Sequence, residues 1–161
     1  MAGDRGDPDG PRRPRKERSL LARALGSLAR REHSRVELAR KLAIHAGSDA
    51  ELQRLLDDLE TKQLLSDRRF TEVLARSRGE RFGAARVALE LKQHGIDGEL
   101  QRAAVARLKQ TELARARELW RRKFGARATD GAERARQMRF LLQRGFSGAT
   151  VRLVVGGADD D

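Results

Sequence analysis

The hexapeptide Asp49-Ala50-Glu51-Leu52-Gln53-Arg54 returns 48 residues later as Asp97-Gly98-Glu99-Leu100-Gln101-Arg102. This recurrence decides the architecture, because a fixed period of this size marks a tandem array. The same period is found elsewhere in the chain. Leu91, Gln93, Gly95 and Ile96 match Leu141, Gln143, Gly145 and Phe146 at a spacing of 50, and Leu25, Leu74 and Phe124 lie 49 and 50 apart. Three copies of a three-helix unit account for every one of these offsets. A unit of about 45 residues buries too little apolar surface to be comfortable alone, so neighbouring units should stack and stabilise one another. The expected fold is all-α, with three tandem three-helix repeats forming an elongated, curved array.

Helix punctuation places the elements. Ser19 caps a first helix in which Leu21, Leu25 and Leu28 share a face. Ser34-Arg35-Val36-Glu37 and Ser48-Asp49-Ala50-Glu51 are capping-box patterns, in which the serine hydroxyl serves the N3 amide and the glutamate reaches back to the cap amide. They open a second helix with Leu38 and Leu42 inward and a third with Leu52, Leu55, Leu56 and Leu59 inward. Ser66 or Asp67 then caps a helix carrying Phe70, Val73 and Leu74. Gly83 begins the fifth, which buries Val87 and Leu91 and stops at Gly95, a natural left-handed position. Asp97 caps the sixth, with Leu100, Ala104 and Leu108 inward. The seventh starts near Thr111 and carries Leu119, Trp120 and Phe124. The eighth starts near Asp130, buries Ala135, Met138 and Leu141, and stops at Gly145, and Ser147 opens the ninth with Val151, Val154 and Val155. The units run over 19–66, 67–110 and 111–155. A disordered arm of mixed charge over 1–18 precedes them, and an acidic tail over 156–161 follows.

Composition agrees with a helical fold. Aromatics make up 4% and there is no Tyr, so strand-forming residue types are scarce. Absence of Cys removes disulfides, thiolate nucleophiles and Cys-based zinc sites, and a reducing compartment is the plainest setting. No apolar run approaches the roughly 20 residues of a membrane span, and the first 18 residues lack the apolar core of a secretory signal. These features point to the cytoplasm.

Catalysis finds little support. His33, His45 and His94 lack metal-ligand spacing and sit near helix ends, where solvated or capping imidazoles are commoner. Asp57 and Asp58 point about 100° apart on a helix, and with Glu60 they read as a solvated face. No Gly-rich loop carries the Lys and Ser or Thr of a phosphate cradle. The chain reads as a non-enzyme without metal or cofactor.

The formal charge is +11, from 35 basic and 24 acidic side chains, which suits an anionic partner. Arg outnumbers Lys by 29 to 6, a skew that genome composition alone can also produce. The net charge is +1 over 19–66, +4 over 67–110 and +4 over 111–161. Three basic clusters stand at matching ends of the first helix of each unit. They are Arg30, Arg31 and Arg35; Arg76, Arg78, Arg81 and Arg86; and Arg121, Arg122 and Lys123. These are the candidate partner contacts. The six aromatics fall mostly at core-facing positions, which speaks against the exposed stacking platforms of single-strand binders.

Taken together, these residues resemble the RecX family of bacterial regulators of the RecA recombinase. Arg31-Glu32-His33-Ser34 followed by Glu37-Leu38 and Lys41-Leu42 is similar to the family's Arg-x-x-Ser-x-x-Glu-Leu-x-x-Lys-Leu. Leu64-Leu65-Ser66-Asp67-Arg68-Arg69-Phe70 is similar to its apolar pair, Asp and aromatic. Gly83, Glu90-Leu91, Gly95-Ile96, and Leu141 with Arg144-Gly145-Phe146-Ser147 complete the likeness. Thr71 departs from it, since the family commonly has Ala after the aromatic. The resemblance implies three tandem three-helix repeats and a protein that docks in the groove of the RecA filament on single-stranded DNA. There it would block filament growth and damp strand exchange, ATP hydrolysis and the co-protease activity behind the SOS response. It carries no catalytic residues over. The expected partner is that filament, with weak direct DNA contact as a secondary mode, no membrane, and a monomeric chain. The competing reading is a direct DNA-binding protein built of basic tri-helical modules.

Overall fold

A computed structural model of the chain describes residues 18–157. The expected arm and acidic tail, apart from Arg18, Gly156 and Gly157, lie outside the described residues. Within them are nine α-helices and no strand: α1 Leu20–Arg30, α2 Arg35–Leu42, α3 Asp49–Thr61, α4 Asp67–Gly79, α5 Ala84–Gln93, α6 Gly98–Gln110, α7 Glu112–Lys123, α8 Gly131–Gln143 and α9 Gly148–Gly156. A single 3-10 turn, Ala43–His45, follows α2.

Side-chain caps start six of these helices. Ser19, Ser34, Ser48, Ser66, Asp130 and Ser147 each accept the backbone N–H three residues on, at 2.8–3.2 Å. The second half of the capping box is not made as expected. Glu37 turns instead to the Arg31 guanidinium, and Glu51 accepts the N–H of Gly47 at 2.8 Å rather than that of Ser48. In both places the carboxylate meets a more accessible donor one or more residues before the cap. Asp97 occupies its cap position without a side-chain bond.

The stops of α5 and α8 share one geometry. Gly95 and Gly145 have φ of +76° and +83°, and Ile96 N–H and Phe146 N–H fold back onto the carbonyls of Leu91 and Leu141 at 2.9 and 3.3 Å. This closure needs a left-handed residue, which glycine supplies without a Cβ penalty. It also puts Ile96 and Phe146 beside the leucines they bond, and all four are buried.

Each set of three helices closes around its own buried cluster. Their buried members include Leu38, Leu42 and Leu56 in α1–α3, Val87 and Leu91 in α4–α6, and Ala116, Leu141 and Val151 in α7–α9. Leu42, Leu91 and Leu141 therefore take the same place in three successive cores, as the period requires. Three inward faces are rotated from the expectation. In α1, Ala24 and Ser27 are buried while Leu21 and Leu25 are exposed, and Ala24 belongs to the same buried cluster as Leu38 and Leu42. In α4, Thr71 is buried and Val73 exposed, and the Thr71 hydroxyl donates to the Asp67 carbonyl at 2.7 Å, which satisfies it in place. In α8, Ala135 is exposed and Gln137 is buried, where its amide joins Trp120 Nε1 at 2.9 Å to the Ala126 carbonyl at 3.1 Å. A buried polar side chain is tolerated where its donors and acceptors are matched, and apolar periodicity alone does not see that.

Candidate partner interface

The surface that a partner would meet is set by how the three helical sets are joined, and both joints use the same parts. At each, an acidic residue that begins one set's first helix accepts the leading N–H of the preceding set's second helix. Asp67 accepts from Arg35 N–H at 2.8 Å, and Glu112 accepts from Ala84 N–H at 3.1 Å. Next to it, the start of that second helix donates to the carbonyl that ends the following set's second helix. The Ser34 hydroxyl bonds the His94 carbonyl at 2.6 Å, and Gly83 N–H bonds the Arg144 carbonyl at 2.8 Å. Arginines close the contact, with Arg40 donating to the Gln93 carbonyl at 2.9 Å and Arg86 to that of Gln143 at 3.2 Å. Helix ends leave amides and carbonyls without intrahelical partners, and here the orphans of one set serve those of the next. Helix α5 takes part in both joints, its start in the second and its end in the first.

Glu112 is buried and also accepts from the Thr150 hydroxyl at 3.0 Å and Ser147 N–H at 3.4 Å. Burial pushes its carboxyl up, but the hydrogen bonds from Ala84, Thr150 and Ser147 outweigh this and hold it below the ordinary glutamate value of 4.5. Its depressed folded-state pKa means that the stabilisation is complete above the unfolded value and is lost as pH falls below it. Glu112→Ala is expected to cost about 2 to 3 kcal/mol at neutral pH, because buried donors lose a charged acceptor. Urea unfolding from pH 7 down to 3 checks both points. The difference between wild type and variant should shrink as the acid range is entered, and a difference independent of pH would show that the carboxylate charge is not what matters.

Neighbouring Arg115 donates to the carbonyls of Gly79, Phe82 and Leu108, tying α7 to the end of α6 and to the α4–α5 turn. The buried His33, expected near a solvated helix end, has Nδ1 3.1 Å from the Arg31 carbonyl and, among the described residues, no partner for Nε2, and burial pushes its pKa down. His94 is half-buried with its ring 5.1 Å from that of Phe70, and His45 is exposed.

The basic clusters divide on inspection. Arg31 pairs with Glu37, and Arg78 pairs with Glu90 at 2.9 Å. Arg35 meets Asp57 at 2.7 Å and Glu60 at 3.2 Å, so these two carboxylates are committed to Arg35. Arg30, Arg76, Arg81 and Arg121 are exposed, as are Arg122, which reaches Glu118 at 3.6 Å, and Lys123. Of the six aromatics only Phe70 and Phe146 are fully buried. Phe82, Phe124 and Phe140 are half-buried under cations. Arg86 lies 4.4 Å from the Phe82 ring centre, Arg144 lies 4.6 Å from that of Phe140, and Arg136 lies 5.4 Å from that of Phe124.

Beside this cluster a groove of about 670 Å³ crosses the second joint, between the outer face of α5 and the end of α8. Its apolar lining includes two exposed leucines, Leu89 and Leu142 at 59% and 45% exposure. Arg86 was among the candidate contacts. Arg144 was not, since the sequence shows an arginine before a helix-stopping glycine but not the rings beneath it. Among the described residues no group of His, Cys, Asp and Glu is arranged to hold a metal ion, and no helix is long and apolar enough to cross a membrane.

Comparison with known proteins turns this geometry into a family assignment. Residues 66–105 match the family model described as RecX, second three-helix domain, and residues 110–155 match that described as RecX, third three-helix domain. The chain is 50% identical over 147 residues to the regulatory protein RecX of Leptothrix cholodnii, covering 91% of this chain and 94% of that one. The chain belongs to the RecX family. Against the regulatory protein RecX of Ralstonia nicotianae it is 49% identical over 146 residues, covering 91% and 92% of the two chains. The crystal structure of RecX from Lactobacillus salivarius matches with a TM-score of 0.67 at 19% identity, over 85% of this chain and 92% of that one, and so shares the fold. In this RecX chain the motif residues Ser34, Asp67, Gly95 and Gly145 are the working parts of the joints, where sequence reading had seen only caps and stops. Glu112 carried a signal that was available: it is the first residue of its helix, 45 residues after Asp67.

Proposed function

We propose that this RecX chain binds the RecA filament on single-stranded DNA and restrains its extension, and with it strand exchange, ATP hydrolysis and co-protease activity. The observation that carries this reading is the 50% identity, over 91% of the chain, to a protein named a regulatory RecX protein. On this reading the chain works in the cytoplasm, as a monomer, by binding and not by catalysis, with 19–66, 67–110 and 111–155 as its modules.

The contact surface on this reading includes Arg76, Arg81, Arg121, Arg122 and Lys123, exposed at the ends of α4 and α7 in the two more basic units. The ion-paired Arg31, Arg35 and Arg78 serve the fold first. The test follows extension of RecA filaments at two salt concentrations. Wild type should slow extension far below stoichiometry with RecA, because blocking a growing end takes few molecules. Replacing the five exposed cations by Ala should weaken filament binding and flatten its salt dependence, while stability changes by less than about 0.5 kcal/mol per site. Inhibition only at saturation of the DNA lattice would favour the direct DNA-binding reading, which the net charge of +4 over 67–110 and +4 over 111–161 makes a real competitor.

A further inference from the structure

The groove between α5 and α8 is lined by Arg78 and Arg86, and Arg144 stands beside it, its guanidinium 5.8 Å from the ring centre of the lining Phe82. Arg86 is fixed by the Gln143 carbonyl at 3.2 Å and the Phe82 ring, and Arg144 by the Arg81 carbonyl at 3.5 Å and the Phe140 ring. Among the described residues neither meets a carboxylate, while Glu90, the acid in the groove, is committed to Arg78. The two guanidiniums are thus held in place with their charge unneutralised, and the planar fork of arginine is suited to carboxylate. The same groove is lined by Leu89 from α5 and Leu142 from α8, both exposed.

This combination discriminates between classes of anion. A nucleic acid strand would use the arginines and leave the leucines wet, and it would seek open aromatic faces, whereas the Phe82 and Phe140 faces are already covered by cations. A peptide segment with both carboxylates and large apolar side chains satisfies every feature at once: apolar anchors on the leucines, carboxylates on the fixed arginines.

We infer that the α5–α8 groove is a docking site for an acidic segment of a protein partner that presents apolar side chains between its carboxylates. The inference rests on the proposed function for its place in the filament complex, and it assigns this contact to the protein of the filament rather than to its DNA. Because the groove straddles a joint, an occupant also bridges the second and third helical sets.

The test uses the full chain with three fluorescent probes: an amphipathic Leu/Glu peptide of about 12 residues, long enough to span roughly 18 Å as a helix, its Leu/Lys counterpart, and a single-stranded oligonucleotide. The Leu/Glu peptide should bind and the Leu/Lys peptide should not. Leu89→Ser/Leu142→Ser should weaken Leu/Glu binding about tenfold, the loss expected for removing two apolar anchors, while oligonucleotide binding and melting temperature stay as in wild type. Arg86→Gln/Arg144→Gln should weaken it comparably and reduce its salt dependence. No binding of the Leu/Glu peptide, or binding indifferent to the leucine replacements, overturns the inference. So does a parallel fall in oligonucleotide affinity, which would mark a nucleic-acid surface. The same leucine variant is then titrated on RecA filaments. Wild-type binding with an unimpaired variant overturns the inference and leaves the proposed function standing. Peptide binding that needs the leucines, with no wild-type binding to filaments, overturns the proposed function and leaves the groove assignment standing.

Discussion

Leu91→Ala and Leu141→Ala each lower the stability of the chain by about 2 to 5 kcal/mol, the range for truncating a fully buried leucine. Both side chains are completely buried at the same place in successive cores, each next to the residue that closes its helix stop, Ile96 or Phe146. Truncation removes apolar contact and leaves a cavity that the short helices around it cannot fill without moving the closure. The loss therefore falls on the joint as well as on the core, because His94 and Arg144, one turn away, supply the carbonyls that receive the preceding set. Chemical denaturation of the two variants is the check. Wild-type midpoints would refute their placement as equivalent core positions, and a loss confined to one would show that the two cores are not equally closed.

Gly95→Ala is expected to cost about 2 to 4 kcal/mol, from two separable causes. At φ of +76° any side chain adds roughly 1 kcal/mol of backbone strain. The added methyl would also overlap the Val36 side chain, most closely Cγ2 at 2.3 Å, which alanine at 36 removes, and also Cβ at 2.6 Å, which it keeps, and overpacking of this kind costs about 1 to 3 kcal/mol. The second part alone should respond to a smaller neighbour. Val36→Ala/Gly95→Ala is therefore expected to be more stable than the sum of the single losses predicts, by about 1 kcal/mol or more, in a double-mutant cycle. Strict additivity would place the whole cost in the backbone. The equivalent approach at the second joint, where a Gly145 side chain would stand 2.6 Å from Arg86 Cβ, offers no such relief, since backbone N of Arg86 is also within 2.9 Å.

The existence and order of the helices were legible because the signals are local. A serine three residues before an amide it can accept, or a glycine after a run of helix formers, acts within one turn, and the caps at Ser19, Ser34, Ser48, Ser66, Asp130 and Ser147 follow directly. The period carried the equivalence of Leu91 and Leu141 for the same reason. What was not legible depends on partners far along the chain. Gln137 is inward because Trp120 and Ala126 wait for its amide, and Thr71 because it can bond back to Asp67; hydropathy ranks both as outward. The charged residues show the same limit. Arg35, Arg78 and Arg86 look alike in a basic cluster, yet the first two are neutralised by Asp57, Glu60 and Glu90 and the third rests on a ring. Counting charges finds the cluster, but only the pairing tells which members still have charge to offer a partner.

Helix α5 is a rod of 10 residues, about 15 Å long, and it is gripped at both tips. Its first turn is clamped by Glu112 and the Arg144 carbonyl, and its last turn presents the His94 carbonyl to Ser34 and the Gln93 carbonyl to Arg40. A short helix cannot bend appreciably between such grips, so a tilt imposed at one tip is delivered to the other. The outer two thirds of the molecule are in this sense geared together through its middle. Bending at the two joints is then expected to be one coordinated motion rather than two independent ones.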